Sequence, residues 1–260
     1  MMMERVVDGQ KYGQLDFDGA TKAEIAIERL RQFEPPEGYY LAYSGGRCSQ
    51  VVKHLAERSG VRYDAHYHFT TVDPPEVIRH IRVAGDVMME RAQASMWTLI
   101  QTNGMPTRLH RWCCRALKER GGSGRVVVTG IRQAESNSRR HRQMVEACYT
   151  DRTKRFVNPI VDWSHTDVKQ YIEDYQIDVC SLYAEGFKRI GCVLCPMNRA
   201  TDLHIARWPK IAAAWRRAAD RYWAKGTKGV RRFATPEAFW NWWIDRDASA
   251  PDDSQPMMFD

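Results

Sequence analysis

Two short cysteine pairs set the tightest condition on how this chain can fold. Cys113 and Cys114 are adjacent, Cys192 and Cys195 form a CxxC, and the pairs lie far apart in sequence. Folding must bring them together before they can share anything. Four thiolates converging on one point suit a tetrahedral zinc ion or a cubane iron–sulfur cluster. Neighbouring side chains diverge on a helix and on a strand alike. A tandem pair therefore serves one centre only where the backbone is distorted or the centre is large. A cubane with four separate irons is that large; a single zinc ion is less so. The pattern points to a 4Fe–4S cluster held by Cys113, Cys114, Cys192 and Cys195, with zinc as the alternative metal. Buried apolar thiols are the plain competitor, and four cysteines at this spacing weigh against it.

Seven cysteines follow a start, Met1-Met2-Met3-Glu4-Arg5, that lacks the apolar core of a secretory signal. Such cysteines read as thiols or ligands rather than as a disulfide framework. Cys148 and Cys180 are isolated and are expected in the core. No apolar run approaches a membrane span, so no membrane partner is expected and the cytoplasm is the default location. The formal net charge of +7 suits an anionic partner, a nucleotide or a nucleic acid, although a solvated basic surface is equally compatible with it.

The order of elements gives the fold class. A peripheral helix over residues 21–33 ends at Pro35-Pro36. A strand is expected at Tyr39 to Tyr43, then a glycine turn and a helix from Gln50 to Arg58 whose inward face is Val51, Val52 and Leu55. A second strand at residues 63–70 precedes Pro74-Pro75, which open a helix over 76–81. Val126-Val127-Val128-Thr129 has the unbroken β-branched run of a strand buried on both faces. Ser164 is a suitable N-cap for a helix over 165–175. The last third is helical, over residues 203–223 and 236–244, with Trp240, Trp242 and Trp243 as core of those helices rather than a base-stacking platform. Strands alternating with helices predict an α/β protein, a parallel twisted sheet flanked by helices with a helical C-terminal extension. The expected organisation is an N-terminal helical segment (1–37), an α/β domain with the paired cysteines (38–199), a helical region packed on it (200–245) and a disordered tail (246–260).

Ser44-Gly45-Gly46-Arg47-Cys48-Ser49 joins the first of these strands to a helix. Backbone N–H groups of such a turn, with the helix N-terminus, form a nest for phosphate or sulfate, and Ser44 and Ser49 add hydroxyl donors. The spacing is not that of a Walker A loop. Its place at the carboxyl end of a parallel strand is where ligands bind in open α/β sheets. Downstream, Arg132, Arg139, Arg140, His141, Arg142, Arg152, Lys154 and Arg155 make a strongly basic stretch, part of it expected as a mobile loop. Arg132 and Arg139 are the best candidates for anion clamps, since guanidinium binds phosphate or sulfate in a bidentate way. The others read as solvated surface arginines.

These segments resemble a known family. Ser44 to Ser49 is similar to the SGGxDS pyrophosphate loop (PP-loop) of adenine-nucleotide alpha hydrolase-like enzymes. Gly130-Ile131-Arg132-Gln133-Ala134-Glu135-Ser136-Asn137-Ser138-Arg139 resembles the GxRxxxSxSR segment of the phosphoadenosine phosphosulfate (PAPS) reductase family. Residues 158–168, Asn158-Pro159 to Asp167-Val168, resemble its NPxxDWxxxDV stretch, and residues 182–192 its LyxxGyxxiGC run. The resemblance runs from about residue 39 to residue 197. The tandem pair and CxxC resemble the cluster ligands of the iron–sulfur adenylyl-sulfate (APS) reductase branch.

The resemblance implies a parallel-sheet fold that binds an adenine nucleotide or sulfonucleotide at Ser44, Gly45, Gly46, Arg47, Ser49, Gly130, Arg132 and Arg139. It also implies sulfur-transfer or redox chemistry with a thioredoxin-like or ferredoxin-like electron donor. Sulfur modification of a nucleic acid is one version. Reductases of this family attack the sulfate sulfur with a tail cysteine, whereas here no cysteine follows Cys195. The thiol would then come from Cys48 or from a partner protein. Cys48 stands where the loop usually has Asp, and a thiol is a poor magnesium ligand. Magnesium–nucleotide chemistry would need Asp73 or Asp162 instead. The helix N-terminus should lower the Cys48 pKa and make it reactive, so Cys48 is a candidate catalytic residue. Lys118, four residues after Cys114, is another, placed to neutralise an anionic substrate beside the cluster. A protein that kept the fold and lost catalysis, binding nucleotide or nucleic acid only, is the remaining alternative. His110 and His204 have no assigned partner.

Overall fold

The computed structural model describes the backbone of Arg5–Val7 and Gln10–Tyr12 and all residues from 19 to 245. The tail from 246, expected to be disordered, lies outside the described residues. The chain divides into two compact units. One comprises Met1–Tyr67, Glu76–Glu90 and Gly121–Ile190; the other comprises His68–Pro75, Arg91–Arg120 and Gly191–Asp260.

The first unit opens with a short antiparallel hairpin, β1 (Arg5–Val7) and β2 (Gln10–Tyr12), which the sequence pattern did not announce. Helix α1 (Lys22–Gln32) follows, with Thr21 and Glu24 forming a reciprocal capping box and Ala23, Ala26, Ile27 and Leu30 facing inward. Then come β3 (Tyr39–Ala42), α2 (Arg47–Ser59), β4 (Tyr63–Phe69), α3 (Pro75–Ala84), β5 (Val87–Arg91), β6 (Val126–Val128), the hairpin β7 (Val145–Ala147) with β8 (Arg155–Val157), and a further helix numbered below. The six strands from β3 onward form one sheet in the order β5-β4-β3-β6-β8-β7. β3 pairs parallel with β4 and β6, and β6 parallel with β8, while β7 pairs antiparallel with β8. Tyr39, Leu41 and Val128 are fully buried, as a strand covered on both faces requires. The expected parallel sheet is present. The basic stretch, part of which was expected as a loop, also contains two 3-10 turns and the β7–β8 hairpin, because a run of charge hides the local pairing signal.

One polar cluster ties neighbouring strands of this unit. His66 stacks on Tyr40 at 3.9 Å between ring centroids, and its ring nitrogens meet the Asp64 carboxylate and, at 2.5 Å, Glu90. Arg125 reaches Asp64 Oδ1 at 2.6 Å. Burial alone would raise the Asp64 carboxyl, but the hydrogen bonds from Arg125 and His66 outweigh it and hold it below the ordinary Asp range.

The second unit carries α4 (Met96–Asn103), α5 (Trp112–Leu117), α7 (Thr201–Arg207), α8 (Pro209–Ala224) and α9 (Pro236–Ile244); α6 (His165–Asp174) belongs to the first unit. The helix expected over 203–223 is two helices, because Pro209 supplies no N–H and starts a new one after Trp208. Trp215 stacks on Trp243 at 5.0 Å and meets Trp97 edge-on at 5.4 Å. Trp243 is buried and donates to the Pro106 carbonyl at 2.7 Å, so it is core, as expected. Among the described residues no helix is long and apolar enough to cross a membrane.

Asp64→Asn should lower the stability of the chain by about 1–2 kcal/mol, the cost of leaving partly buried partners unmatched. A carboxyl depressed in the folded state stabilises above its unfolded pKa and loses that effect as pH falls through the folded value. Urea unfolding of wild type and variant should therefore differ at neutral pH and converge below about pH 4.

Candidate functional site

In the first unit, the loop after β3 is built around Gly45, whose φ of +71° is open to glycine and strained for other residues. A Cβ there would also press on Ile81 and Val77 at 3.2 Å. The loop then braces itself. Ser49 Oγ accepts from the Ser44 N–H at 3.2 Å and donates to the Gly46 carbonyl at 2.8 Å, while the Gln50 amide donates to the Gly45 carbonyl at 3.1 Å. Helix α2 begins at Arg47 with Gly46 as its N-cap, and no side chain caps it. Its positive dipole end is thus turned to the loop without a side-chain cap, a place suited to an anion.

Two distant segments complete this cradle. Gly130, just past β6, packs on the loop so closely that a Cβ would sit 2.8 Å from the Cys48 carbonyl carbon. Tyr183, in a 3-10 turn at Ser181–Tyr183, accepts from the Arg47 N–H at 3.2 Å, and the Arg47 guanidinium lies 4.0 Å from its ring centroid. Tyr183 was missed among the candidate residues, although it lies within one of the matching segments.

Arg132 is buried, 5% exposed. Its Nε donates to Cys48 Sγ at 3.2 Å, and one terminal nitrogen donates to the Trp163 carbonyl at 3.1 Å and lies 3.3 Å from His165 Nδ1. All three are uncharged partners or a histidine ring; no carboxylate pairs with this guanidinium among the described residues. Arg139 is differently placed. It is ion-paired to Glu135, whose other contact is the Arg132 backbone N–H at 3.1 Å. Burial pushes the Cys48 thiol up from its ordinary value, and the neighbouring Arg132 only partly opposes this. The helix end does not win, contrary to the expectation of a depressed pKa. Asp162 is held bidentate by Arg29, both contacts at 2.8 Å.

The second unit contains all four paired cysteines. Cys113 and Cys114 lie in the first turn of α5, and Cys192 and Cys195 in the loop before α7. None is in a disulfide. The neighbouring Cys113 thiol, then Arg111 and Lys118, outweigh burial and hold the Cys114 thiol below its ordinary value. Cys113 is correspondingly pushed up, by its neighbour Cys114 first, then by burial and by the charges of Cys114, Cys192 and Cys195. The four sulfurs are therefore within electrostatic reach of one another. Lys118 is half-buried and raised, chiefly by Cys192 and also by Asp73 and Cys195, and Arg111 reaches Cys114 Sγ at 3.4 Å.

The CxxC turn is rigidly framed. Leu194 adopts φ +56°, unusual for a side chain with a Cβ. Its N–H donates to His204 Nδ1 at 3.0 Å, the Val193 N–H to the Val72 carbonyl at 2.8 Å, and the Trp215 indole to the Val193 carbonyl at 3.1 Å. His204 is 3% exposed. Sequence gave it no role; its partner is ten residues away and announced by no motif. Asp73 accepts from the Thr70 N–H at 2.6 Å and hydroxyl at 2.7 Å, and Thr70 lies 3.5 Å from Cys192 Sγ. Among the described residues no three His, Cys, Asp or Glu side chains gather as closely as one metal ion needs. Of the isolated cysteines, Cys180 is buried as expected, whereas Cys148 is half-buried beside the β7–β8 turn rather than in the core.

Comparison with known proteins agrees with this architecture. The phosphoadenosine phosphosulfate reductase domain matches residues 38–198. The chain is 31% identical over 231 residues to adenosine 5'-phosphosulfate reductase of Mycobacterium tuberculosis, covering 77% of this chain and 89% of that protein. It is 24% identical over 220 residues to an uncharacterized protein of Methanocaldococcus jannaschii, and spans 45% of that protein's length. A second uncharacterized protein of the same archaeon is 29% identical over 163 residues, of whose length the chain spans 37%. In three dimensions the chain is similar to a phosphoadenylyl-sulfate reductase of Candida auris, solved as a phosphate complex. The TM-score is 0.50 at 16% identity, over 70% of this chain and 97% of that one.

Gly130→Ala should displace the Cys48 backbone and weaken adenine-nucleotide binding at least about tenfold by calorimetry, with little change in far-ultraviolet circular dichroism. A raised thiol pKa keeps Cys48 protonated at neutral pH. Its alkylation by iodoacetamide, followed by peptide mass spectrometry, should climb about tenfold per pH unit from 7 and still be rising near about pH 9. A plateau near neutrality would show Arg132 and the helix end dominating instead.

Proposed function

The chain belongs to the phosphoadenosine phosphosulfate reductase family, and from that premise we propose that it binds a sulfonucleotide and performs sulfur redox or transfer chemistry with a 4Fe–4S cluster. The observation that carries the nucleotide half is Arg132. A buried guanidinium with no carboxylate partner is costly to keep, and an anionic ligand is the natural counter-charge. It stands over the same loop whose helix end is uncapped. Gly45, Gly46 and Ser49 would cradle phosphate through backbone amides and a hydroxyl, and Gly130 keeps the loop close enough for Arg132 to reach. Arg139 would join as a second clamp on release from Glu135. Cytoplasmic free thiols fit this picture.

For the cluster, the donor set is the argument. Four unpaired cysteines of one unit feel each other's charge, and two cations, Arg111 and Lys118, stand against them. Trp112, buried directly before the pair, has an indole N–H with no hydrogen-bond partner among the described residues, a donor suited to a cluster sulfide. When bound, a cluster of this kind supplies electrons or a local electric field at sulfur. The chain's part would be to present Cys113 and Cys114 from α5 and to hold the Cys192–Cys195 loop through His204, Trp215 and the Thr70–Asp73 turn.

The similarity to an adenosine 5'-phosphosulfate reductase favours one specific form of this reading, sulfite release from adenylyl sulfate with a thioredoxin-like or ferredoxin-like donor. A thiolate would attack the sulfate sulfur, the S–O bond would break, and AMP would leave with the electron pair. A donor dithiol would then attack the modified thiol, expelling sulfite and forming a disulfide. Cys48 or a partner protein would supply the first thiol.

Anaerobic purification should yield iron and acid-labile sulfide in about equal amounts, near four of each per chain. Cys113→Ser and Cys192→Ser should each remove most of both while leaving AMP binding intact. Iron-free protein from anaerobic cells, with no loss in the serine variants, would sink the cluster; sulfite released from adenylyl sulfate by wild type but not by Cys48→Ser would assign the thiol.

A further inference from the structure

We propose that the β7–β8 hairpin of the first unit, with the turn leading into it, is a docking surface for single-stranded nucleic acid. Between residues 132 and 155 the chain carries seven Lys or Arg side chains against three acids, more than half of its net excess of +7. The structure divides these charges unequally. All three acids are consumed locally. Glu135 pairs with Arg139, Glu146 with Arg142 at 2.7 Å, and Asp151 takes hydrogen bonds from Ser123 at 2.7 Å and from Thr153. Lys154 is buried. Arg140, His141, Arg152 and Arg155 remain exposed, with no side-chain hydrogen bond or ion pair among the described residues.

The hairpin also presents an aromatic ring to water. Tyr149 is 98% exposed, between the Cys148–Lys154 closing pair and the turn. The backbone under it is fixed: the Cys148 N–H donates to the Lys154 carbonyl at 3.0 Å, and Thr153 N–H to Asp151 at 3.1 Å. An exposed ring on a hydrogen-bonded turn, in a stretch with exposed unpaired arginines, matches what a single strand offers, unstacked bases and a repeating phosphate charge. Arginine serves better than lysine here because its fork meets phosphate through two parallel hydrogen bonds. An acidic protein partner would want an apolar centre to its interface. This stretch offers only Val145 and Tyr149 as exposed large hydrophobic side chains. A nucleic acid is therefore the occupant the surface fits. It does not depend on the sulfonucleotide cradle or on the paired cysteines.

The test is fluorescence anisotropy of the purified chain with labelled oligo(dT) and oligo(U) of about 20 nucleotides, across about 50–200 mM KCl. Three phosphate contacts predict that log affinity falls against log salt with a slope of about −2. Arg140→Gln, Arg152→Gln and Arg155→Gln combined should weaken binding at least about tenfold at the lowest salt and flatten that slope. Tyr149→Ala should weaken it about fivefold or more, and Tyr149→Phe should restore it. Because all four side chains are exposed, unchanged thermal unfolding is the control, and AMP binding and iron content should stay at wild-type values. Absence of binding at the lowest salt, a triple variant that binds like wild type, an unaffected Tyr149→Ala, or tighter binding of duplex than of single strand would each overturn the proposal. So would a reduced ferredoxin or thioredoxin that binds through these arginines while oligonucleotides do not. Oligonucleotide binding by protein that proves to hold neither iron nor nucleotide would leave this surface standing and remove the sulfonucleotide reading alone.

Discussion

The contact between Gly130 and the backbone of Cys48 is what makes one site out of two distant segments. With 2.8 Å from a would-be Cβ to the Cys48 carbonyl carbon, only hydrogen fits. That closeness lets the chain leaving β6 lie against the loop leaving β3, and it carries Arg132 to within 3.2 Å of Cys48 Sγ. The parallel pairing of β3 with β6 supplies the coarse alignment, since both strands end at the same edge of the sheet. Without the glycine, the guanidinium and the helix end would address different volumes of solvent.

The second unit treats its two cysteine pairs differently. The CxxC loop is framed by hydrogen bonds, and the tandem pair is not distorted. Cys113 and Cys114 sit in ordinary helix, whereas strain is concentrated at Leu194, whose left-handed φ turns the chain between Cys192 and Cys195. A strained residue persists only when its surroundings over-determine it. Here a histidine, a tryptophan indole and the Val72 carbonyl hold three consecutive backbone groups, on Val193 and Leu194.

Much of this was legible in the sequence, and the reasons are specific. The parallel sheet followed from Val126 to Val128 and from strands spaced by helices, and Ser164 capped α6 as its side chain should. The glycine loop and the GxR segment were readable because their residue types serve backbone conformation and charge directly. β5, α4 and α5 were not, because Val87–Arg91 is half exposed and the two helices are short, leaving no sustained period. His204 escaped for another reason. A histidine that accepts from a backbone N–H has no sequence partner to betray it, so only the folded loop assigns it.

Cys48 is where local chemistry and environment disagree most. A thiol at a helix N-terminus beside arginine is the standard recipe for a thiolate, yet burial pushes it the other way. A carboxylate at this position would have neutralised Arg132. A neutral thiol leaves that charge available, so the same substitution that weakens magnesium binding strengthens the loop's claim on a free anion. The Cys48 side chain thus acts first by what it does not carry. Any nucleophilic part requires Arg132 to move closer, and a bound sulfonucleotide would compete for the same guanidinium. Anion binding and thiolate formation at this loop are therefore opposed, and occupancy of the cradle should keep Cys48 protonated rather than activate it.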